Sequence, residues 1–209
     1  MQVIIAPEKI TKTKKPVIFL AGSIEMGKAE DWQTKVANQL KKYSGTLLNP
    51  RREHWGEHWK QSVTNKKFKE QLEWELKGLS QSDCVVLYFS PKAKSPISLL
   101  ELGLFARSHK IICCCPQKFW RYGNVEFICQ KFKIPLVSNL EELIIKLEKS
   151  KIINDLLPAL KKAIINDGLF SYGVSCYRSS KPERTNLRHI LLALPCDVFF
   201  YLIFIKSNG

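Results

Sequence analysis

The sequence predicts an α/β protein in which helices flank a parallel sheet, and two observations support this fold class. Short apolar runs alternate with longer segments of helical periodicity, as in chains built from βαβ units. The apolar runs end at turn residues such as Gly22 and Pro50. A chain of 209 residues with 45% hydrophobic content can bury one domain and carry an appendage.

The predicted strands and helices lie within a first domain at residues 1–149. Strands are predicted at residues 17–21, 46–48, 84–89, 110–115 and 134–137. Helices are predicted at residues 29–42, 67–79, 98–107 and 140–148. Ser138 or Asn139 is positioned to cap the last of these helices. The alternation of the two kinds of element predicts parallel strands joined by helical crossovers.

Residues 150–209 differ in composition and form a predicted C-terminal extension. Residues 152–165 have the pattern of an amphipathic helix, and residues 190–205 are almost entirely apolar. The apolar segment contains Asp197 and is shorter than the roughly 20 residues that a spanning helix needs. We therefore predict no membrane span. We expect the segment to pack on the first domain or across the subunit interface of a homo-oligomer.

Charge and cysteine content narrow the classes of partner. The chain has 33 Lys and Arg against 19 Asp and Glu, which gives a net charge of +14. Such a charge is typical of proteins that bind polyanions, and equally of proteins whose basic surface is only solvated. Nucleic-acid binding is not favoured, because no basic motif is interleaved with aromatic residues. Seven cysteines without a Cys-x-x-Cys pair predict neither disulfides nor a zinc site. Together with the lack of a signal peptide, they indicate a cytoplasmic protein.

The first candidate site is the turn after the strand at residues 17–21. Gly22, Ser23 and Ile24 connect that strand to a helix. In open parallel sheets, ligands bind beyond the carboxyl ends of the strands, and glycine lets the backbone approach them. A tight turn with no ligand would have the same sequence, so both interpretations stay open here.

The second candidate is Glu101, near the start of the helix predicted at residues 98–107. Ser98 and Glu101 have the spacing of a capping box, in which the acid only bonds its own helix N-terminus. In the functional interpretation, the same helix N-terminus keeps the carboxylate ionised. An ionised carboxylate at the edge of the sheet is what nucleophilic attack on a sugar C1′ requires.

Two further acids could share that edge. Glu75 lies on the second helix, and paired carboxylates in different environments can divide the roles of acid and nucleophile. Asp83 immediately precedes the next strand. The competing interpretations are an exposed helix acid for Glu75 and a turn residue for Asp83.

A fourth group follows the strand at residues 46–48. Arg51 and Arg52 come directly after Asn49-Pro50, where they can clamp a phosphate or carboxylate, or hold the site's own acids in place. His54 and His58 are four residues apart but lack an obvious third ligand nearby, so no metal site is predicted.

Taken in order, these motifs resemble the nucleoside 2-deoxyribosyltransferase-like family over residues 3–147. The shared segments are VIIAP at 3–7, FLAGSI at 19–24, NPRR at 49–52, QLEWE at 71–75, SD at 82–83 and SLLELG at 98–103. The resemblance implies a doubly wound, flavodoxin-like sheet. It also implies cleavage of the N-glycosidic bond of 2′-deoxynucleosides or their 5′-phosphates, deoxyribosyl transfer to a base or to water, and no cofactor.

The resemblance also assigns roles to residues. Glu101 corresponds to the nucleophile of the family's ELG motif, and Glu75 to the acid that binds the sugar and handles the proton of the base. Ser95 corresponds to a serine of phosphate-preferring relatives. The predicted substrate-binding residues are Phe19, Gly22, Ser23, Ile24, Asn49, Arg51, Arg52, Asp83, Ser95 and Ser98.

Two positions depart from the family pattern and leave a second hypothesis open. Phe19 stands where relatives have a tyrosine that steers the nucleophile. Glu25 stands where phosphate-preferring relatives have a basic residue. The alternative to an enzyme is therefore a non-catalytic module that senses nucleotides in the same pocket.

Overall fold

The apolar runs become the strands of one parallel sheet in the computed structural model, which describes residues 1–25, 29–52 and 59–154. The strands are β1 (Gln2–Ile5), β2 (Val17–Gly22), β3 (Thr46–Asn49), β4 (Cys84–Tyr88), β5 (Ile111–Cys114) and β6 (Leu136–Val137). The helices are α1 (Trp32–Leu40), α2 (Lys66–Gln81), α3 (Pro96–Phe105), α4 (Tyr122–Lys131), α5 (Leu140–Glu148) and α6 (Lys151–Asn154). A 3₁₀ turn at Ala106–Ser108 follows α3.

The strand order is β1-β3-β2-β4-β5-β6, and every neighbouring pair is parallel. The chain moves from β2 outward to β3, then crosses back to β4 and continues the other way to β5 and β6. The order therefore reverses between β2 and β4, where Ile18 pairs with Cys84 and Gly22 with Tyr88. Such a reversal leaves a crevice beyond the carboxyl ends of the two strands. The predicted doubly wound α/β fold is confirmed.

Side chains that alternate along each strand build two hydrophobic layers, because successive residues of a strand point to opposite faces. Phe19 and Val85 belong to the layer that α2, α3 and α4 cover. Ile18 and Val86 belong to the layer that α1 and α5 cover. Residues buried on both faces explain why the strands read as continuous apolar runs.

The structure adds two elements that the sequence analysis did not predict and moves the start of two helices by more than one residue. Strand β1 and helix α4 are the additions. Helix α1 begins three residues later than predicted, because Asp31 caps it by accepting a hydrogen bond from the Thr34 N–H. Helix α3 begins two residues earlier, at Pro96, whose fixed φ suits the first helical position.

The C-terminal predictions are only partly covered by the described residues. Helix α6 begins at Lys151, close to the helix predicted at residues 152–165. The rest of that segment and the apolar residues 190–205 lie outside the described residues. The domain boundary at residue 149 therefore stays a prediction. None of the described helices combines the length and apolar content that a bilayer crossing requires.

Candidate active site

The crevice at the strand reversal is closed by a tight contact between the ends of β2 and β4. Gly22 has φ of 141°, and a Cβ there would collide with the Tyr88 carbonyl oxygen. The next residue, Ser23, donates its backbone N–H to that same oxygen at 2.9 Å. Glycine is required at this position because only it permits both the conformation and the close approach.

Three serines meet beyond this contact, one from the turn after β2 and two from the loop between β4 and α3. The hydroxyl oxygens of Ser23 and Ser95 are 2.5 Å apart, and both residues are buried. The Ser90 N–H donates to the Ser23 hydroxyl at 2.8 Å. Ser23 and Ser95 were predicted for this site, whereas Ser90 was missed, because nothing in the sequence distinguishes it from an ordinary loop serine.

Helix α3 starts at the crevice with an unusual cap. Ser95 is the N-cap residue, adopts left-handed backbone angles (φ 49°, ψ 49°) and makes no side-chain cap hydrogen bond, since its hydroxyl faces Ser23. Its backbone N–H donates to Glu25 Oε1 at 2.8 Å instead. The capping box considered for Ser98 and Glu101 is wrong, because Ser98 is buried inside the helix and the helix begins before it.

Glu101 lies in the second turn of α3 and is half-buried. Burial of the carboxyl group and, as the smaller cause, the nearby charge of Glu75 together raise its pKa from 4.5 to about 8. The expectation that the helix N-terminus keeps Glu101 ionised is therefore wrong. Loss of hydration and a like charge outweigh the helix dipole at this depth.

Glu75 reaches the same place from the middle of α2. Burial raises its pKa, whereas a hydrogen bond from Gln71 and the positive charge of Arg52 act in the opposite direction. Gln71 Nε2 donates both to Glu75 Oε1 and to the Pro50 carbonyl oxygen, each at 2.9 Å. Gln71 therefore ties Glu75 to the end of β3. Its spacing of four residues from Glu75 on one helix was the signal that could have predicted it.

The two arginines have different partners, and both contacts lie within the protein. Arg52 Nη2 is 2.9 Å from Glu70 Oε2, and its charge acts on Glu75, in agreement with a role in holding the site's own acids. Arg51 donates to the carbonyl oxygens of Ala29 and Glu30 at 2.8 and 3.1 Å. Arg51 therefore fixes the segment that leads into α1.

Asn49 and Ile24 complete the edge of the crevice from the ends of β3 and β2. Asn49 is buried and accepts a hydrogen bond from the Arg51 N–H at 3.0 Å, which shapes the turn after β3. Ile24 is half-buried, and its carbonyl oxygen accepts a hydrogen bond from the Ala29 N–H. A further contact at this edge joins the Tyr88 hydroxyl to Glu30 Oε1 at 2.5 Å.

Two predicted substrate-binding residues lie away from the crevice. Phe19 is fully buried in the core, 5.9 Å from the Trp74 ring between centroids, and its ring also packs against Gly78. Asp83 lies at the opposite end of the strands, because it precedes β4 rather than following it. About 17 Å of strand separates it from the crevice, at roughly 3.3 Å for each of five residues.

The contacts of Asp83 are structural. It accepts hydrogen bonds from the Val17 N–H at 2.8 Å and from Lys15 Nζ at 3.0 Å. Burial acts to raise its pKa, but these two donors outweigh it and hold the pKa below the ordinary value. Asp83 therefore joins the starts of β2 and β4 and has no place in the predicted substrate site.

A separate cavity of about 550 Å³ lies on the β1 side of α2. It shares Arg52 and Glu70 with the surroundings of Glu75, and neither Glu101 nor any of the crevice serines lines it. The crevice, which holds the serines and the start of the helix that carries Glu101, is thus the stronger candidate site. His54 and His58 lie outside the described residues, so the expectation that they bind no metal stays untested.

The fold and the paired acids define an open α/β protein with a ligand crevice at its strand reversal. Residues 15–119 match the family described as nucleoside 2-deoxyribosyltransferase like. This match covers half of the chain, which therefore belongs to that family. It is narrower than the resemblance over residues 3–147, since β1 precedes it and α4 follows it. A comparison with curated proteins gave no match.

Proposed function

We propose that this protein is an enzyme that cleaves the N-glycosidic bond of 2′-deoxynucleosides or their 5′-phosphates and transfers the deoxyribosyl group to a base or to water. The observation that carries the proposal is the pair of acids at the reversal of the sheet, in which burial of the carboxyl group and the charge of Glu75 together raise the pKa of Glu101. Such a pair supplies a nucleophile and a proton donor without any cofactor.

The first half of the reaction forms a covalent ester. The ionised Glu101 carboxylate attacks C1′, the N-glycosidic bond breaks, and its electron pair passes to the leaving nitrogen of the base. Glu75 donates a proton to the base, either at that nitrogen or at another ring nitrogen of the base. In the second half, water or an acceptor base attacks C1′, Glu75 takes up the proton of the attacking group, and Glu101 leaves as a carboxylate.

The two acids share one proton in this mechanism. Burial and mutual repulsion disfavour a doubly ionised pair, so one carboxyl retains its proton at neutral pH. Because the charge of Glu75 raises the pKa of Glu101, this proton rests mainly on Glu101, and it must pass to Glu75 to give the form that reacts, with the charge on Glu101. The hydrogen bond from Gln71 holds Glu75 in place while the proton moves to and from the base.

The remaining proposed roles follow from position. Gly22, Ser23 and Ile24 bound the sugar pocket, Ser95 and Ser98 lie at its α3 side, and Asn49 and Arg51 shape its β3 side. Arg52 acts on Glu75 and not directly on the substrate. The homo-oligomer and the cytoplasmic location stay predictions. Self-association is favoured by three apolar side chains that α3 exposes, namely Ile97, Leu100 and Leu104.

The test is a panel of deoxynucleosides and their 5′-monophosphates, with and without an acceptor base, in which base release or exchange is measured by chromatography. Glu101→Gln should lower turnover by at least about a thousandfold, on the order of 4 kcal/mol in barrier. Glu73→Gln is the matched control, because Glu73 is an exposed acid on α2 and should retain full activity.

Two outcomes would contradict the proposal. Near-normal turnover in Glu101→Gln would exclude Glu101 as the nucleophile. Tight binding of a nucleotide by the unaltered protein, with no base released from any compound, would favour the sensing module over the enzyme.

A further inference from the structure

The N-terminal end of α3 already holds an anion that the protein itself supplies. Glu25 comes from the turn after β2, and its Oε1 accepts the Ser95 N–H at 2.8 Å. Glu25 has a left-handed backbone with φ of 47°, which is uncommon for a residue with a side chain. The turn is therefore shaped so that a carboxylate lies at the positive end of a ten-residue helix.

Several neighbouring donors at this end of the crevice are also occupied. The Ser90 N–H binds the Ser23 hydroxyl, and the Ser23 N–H binds the Tyr88 carbonyl oxygen. The hydroxyls of Ser23 and Ser95 bind each other. A phosphate group needs several such donors, and here it would have to displace contacts that the protein makes with itself.

Charge opposes a phosphate at this place as well. Glu25 would face the incoming dianion directly, and Glu30 places a second carboxylate on the neighbouring Tyr88 hydroxyl. Lys92 acts on Glu30 from the loop after β4, but it is exposed, so solvent weakens its attraction for an anion. Like charges brought into contact at a binding site are strongly unfavourable.

The distance from Glu101 shows which part of a substrate meets Glu25. Ser95 precedes Glu101 by six residues on α3, or about 9 Å along the helix axis. The long side chains of Glu101 and Glu25 lie between these backbone positions and the substrate. A substrate whose C1′ lies at Glu101 can therefore extend its 5′ end toward Glu25.

We infer that Glu25 selects substrates with a free 5′-hydroxyl and rejects 5′-phosphates, so that the substrate class is the nucleoside and not the nucleotide. This inference rests on the proposed function for the placement of C1′. A neutral hydroxyl can donate a hydrogen bond to the carboxylate, whereas a phosphate meets a like charge. Glu25 thus acts as a specificity-determining residue.

The experiment compares kcat/KM for one deoxynucleoside and its 5′-monophosphate in the unaltered protein, in Glu25→Gln and in Glu73→Gln. The unaltered protein should prefer the nucleoside. Glu25→Gln keeps an oxygen for the Ser95 N–H but loses the charge, so it should shift the ratio at least about tenfold toward the monophosphate. Glu73→Gln makes the same charge change at an exposed site and should leave the ratio unchanged.

A binding measurement separates this inference from the proposed function. Calorimetry with the same two compounds on Glu101→Gln, with and without Glu25→Gln, reports selectivity even where no base is released. If Glu101→Gln binds the nucleoside more tightly and the double variant binds the monophosphate more tightly, the inference is supported without any turnover. A preference for the monophosphate in the unaltered protein, an unchanged ratio in Glu25→Gln, or binding of neither compound would overturn it.

Discussion

Asp83 and Glu101 are acids at opposite ends of the strands of the same sheet. Their surroundings shift the pKa of each acid in opposite directions. Asp83 receives hydrogen bonds from a backbone N–H and from Lys15, which hold its pKa below the ordinary value. Glu101 is enclosed beside another acid, and its pKa rises to about 8. The environment of Asp83 stabilises the ionised carboxylate, and the environment of Glu101 destabilises it.

The difference separates an acid that stabilises the fold from one that is available for chemistry. The ionised form of Asp83 joins two strands at their starts and so contributes to folding. Glu101 contributes least when ionised, so its charge is a cost that the rest of the fold must offset. Acids whose pKa is raised by burial and by a like charge are concentrated at functional sites, and Glu101 has both features.

Among the changes that test this comparison, the loss of Glu75 should have the largest effect. Glu75→Gln removes the proposed proton donor and should lower kcat/KM by about a hundredfold or more. The pH profile should change as well. In the unaltered protein, kcat/KM should fall as the pH rises through about 8, because the acid pair then loses its shared proton.

Glu75→Gln should abolish that alkaline limb, because the pair then has no shared proton to lose and only Glu101, whose ionised form reacts, still titrates. The measurement is kcat/KM for base release between about pH 5 and 10, roughly the range over which the pair titrates. A profile that keeps the same limb in Glu75→Gln would show that Glu75 is not part of the titrating pair.

A smaller effect concerns stability, and its sign differs between the two acids. The folded pKa of Glu101 is raised, so its contribution to stability is fully present below the ordinary value of 4.5 and is lost as the pH rises through about 8. Glu101→Gln should therefore be more stable than the unaltered protein at alkaline pH. The two should converge at acidic pH.

Asp83 should show the reverse behaviour. Its folded pKa is lowered, so its contribution is present above the ordinary value of 3.8 and is lost as the pH falls through the lowered value. Asp83→Asn should cost about 1 kcal/mol at neutral pH, since the group is partly exposed and solvent screens its ion pair. Urea midpoints over a pH series test both variants, and the same direction of change in both would refute the contrast.

The sequence predicts much of the fold because burial on both faces of the sheet leaves continuous apolar runs for β2, β4 and β5. Strand β1 was missed as a strand because it is short, and its Gln2 and Val3 are exposed. The pairing of Glu75 with Glu101 followed from motif order. The position of Asp83 could not be predicted in the same way, since spacing along the chain does not tell at which end of the strands a residue lies.

The pKa of Glu101 was the property least accessible from sequence. Its position in a helix suggested an ionised acid, and only the folded structure reveals the enclosure and the charge of Glu75 nearby. The same holds for Glu25, whose partner Ser95 is 70 residues away. Contacts between distant segments depend on the tertiary arrangement and leave no local pattern.

The central claim, that Glu101 forms a covalent bond to the sugar, has a direct test. The protein is mixed with a deoxynucleoside that it cleaves, quenched in acid within the first turnovers and weighed by mass spectrometry. We expect a population heavier by one deoxyribosyl group, with the added mass on the peptide that contains Glu101, and no such population in Glu101→Gln. Active turnover with no adduct on that peptide, or an equal adduct in Glu101→Gln, would contradict the account.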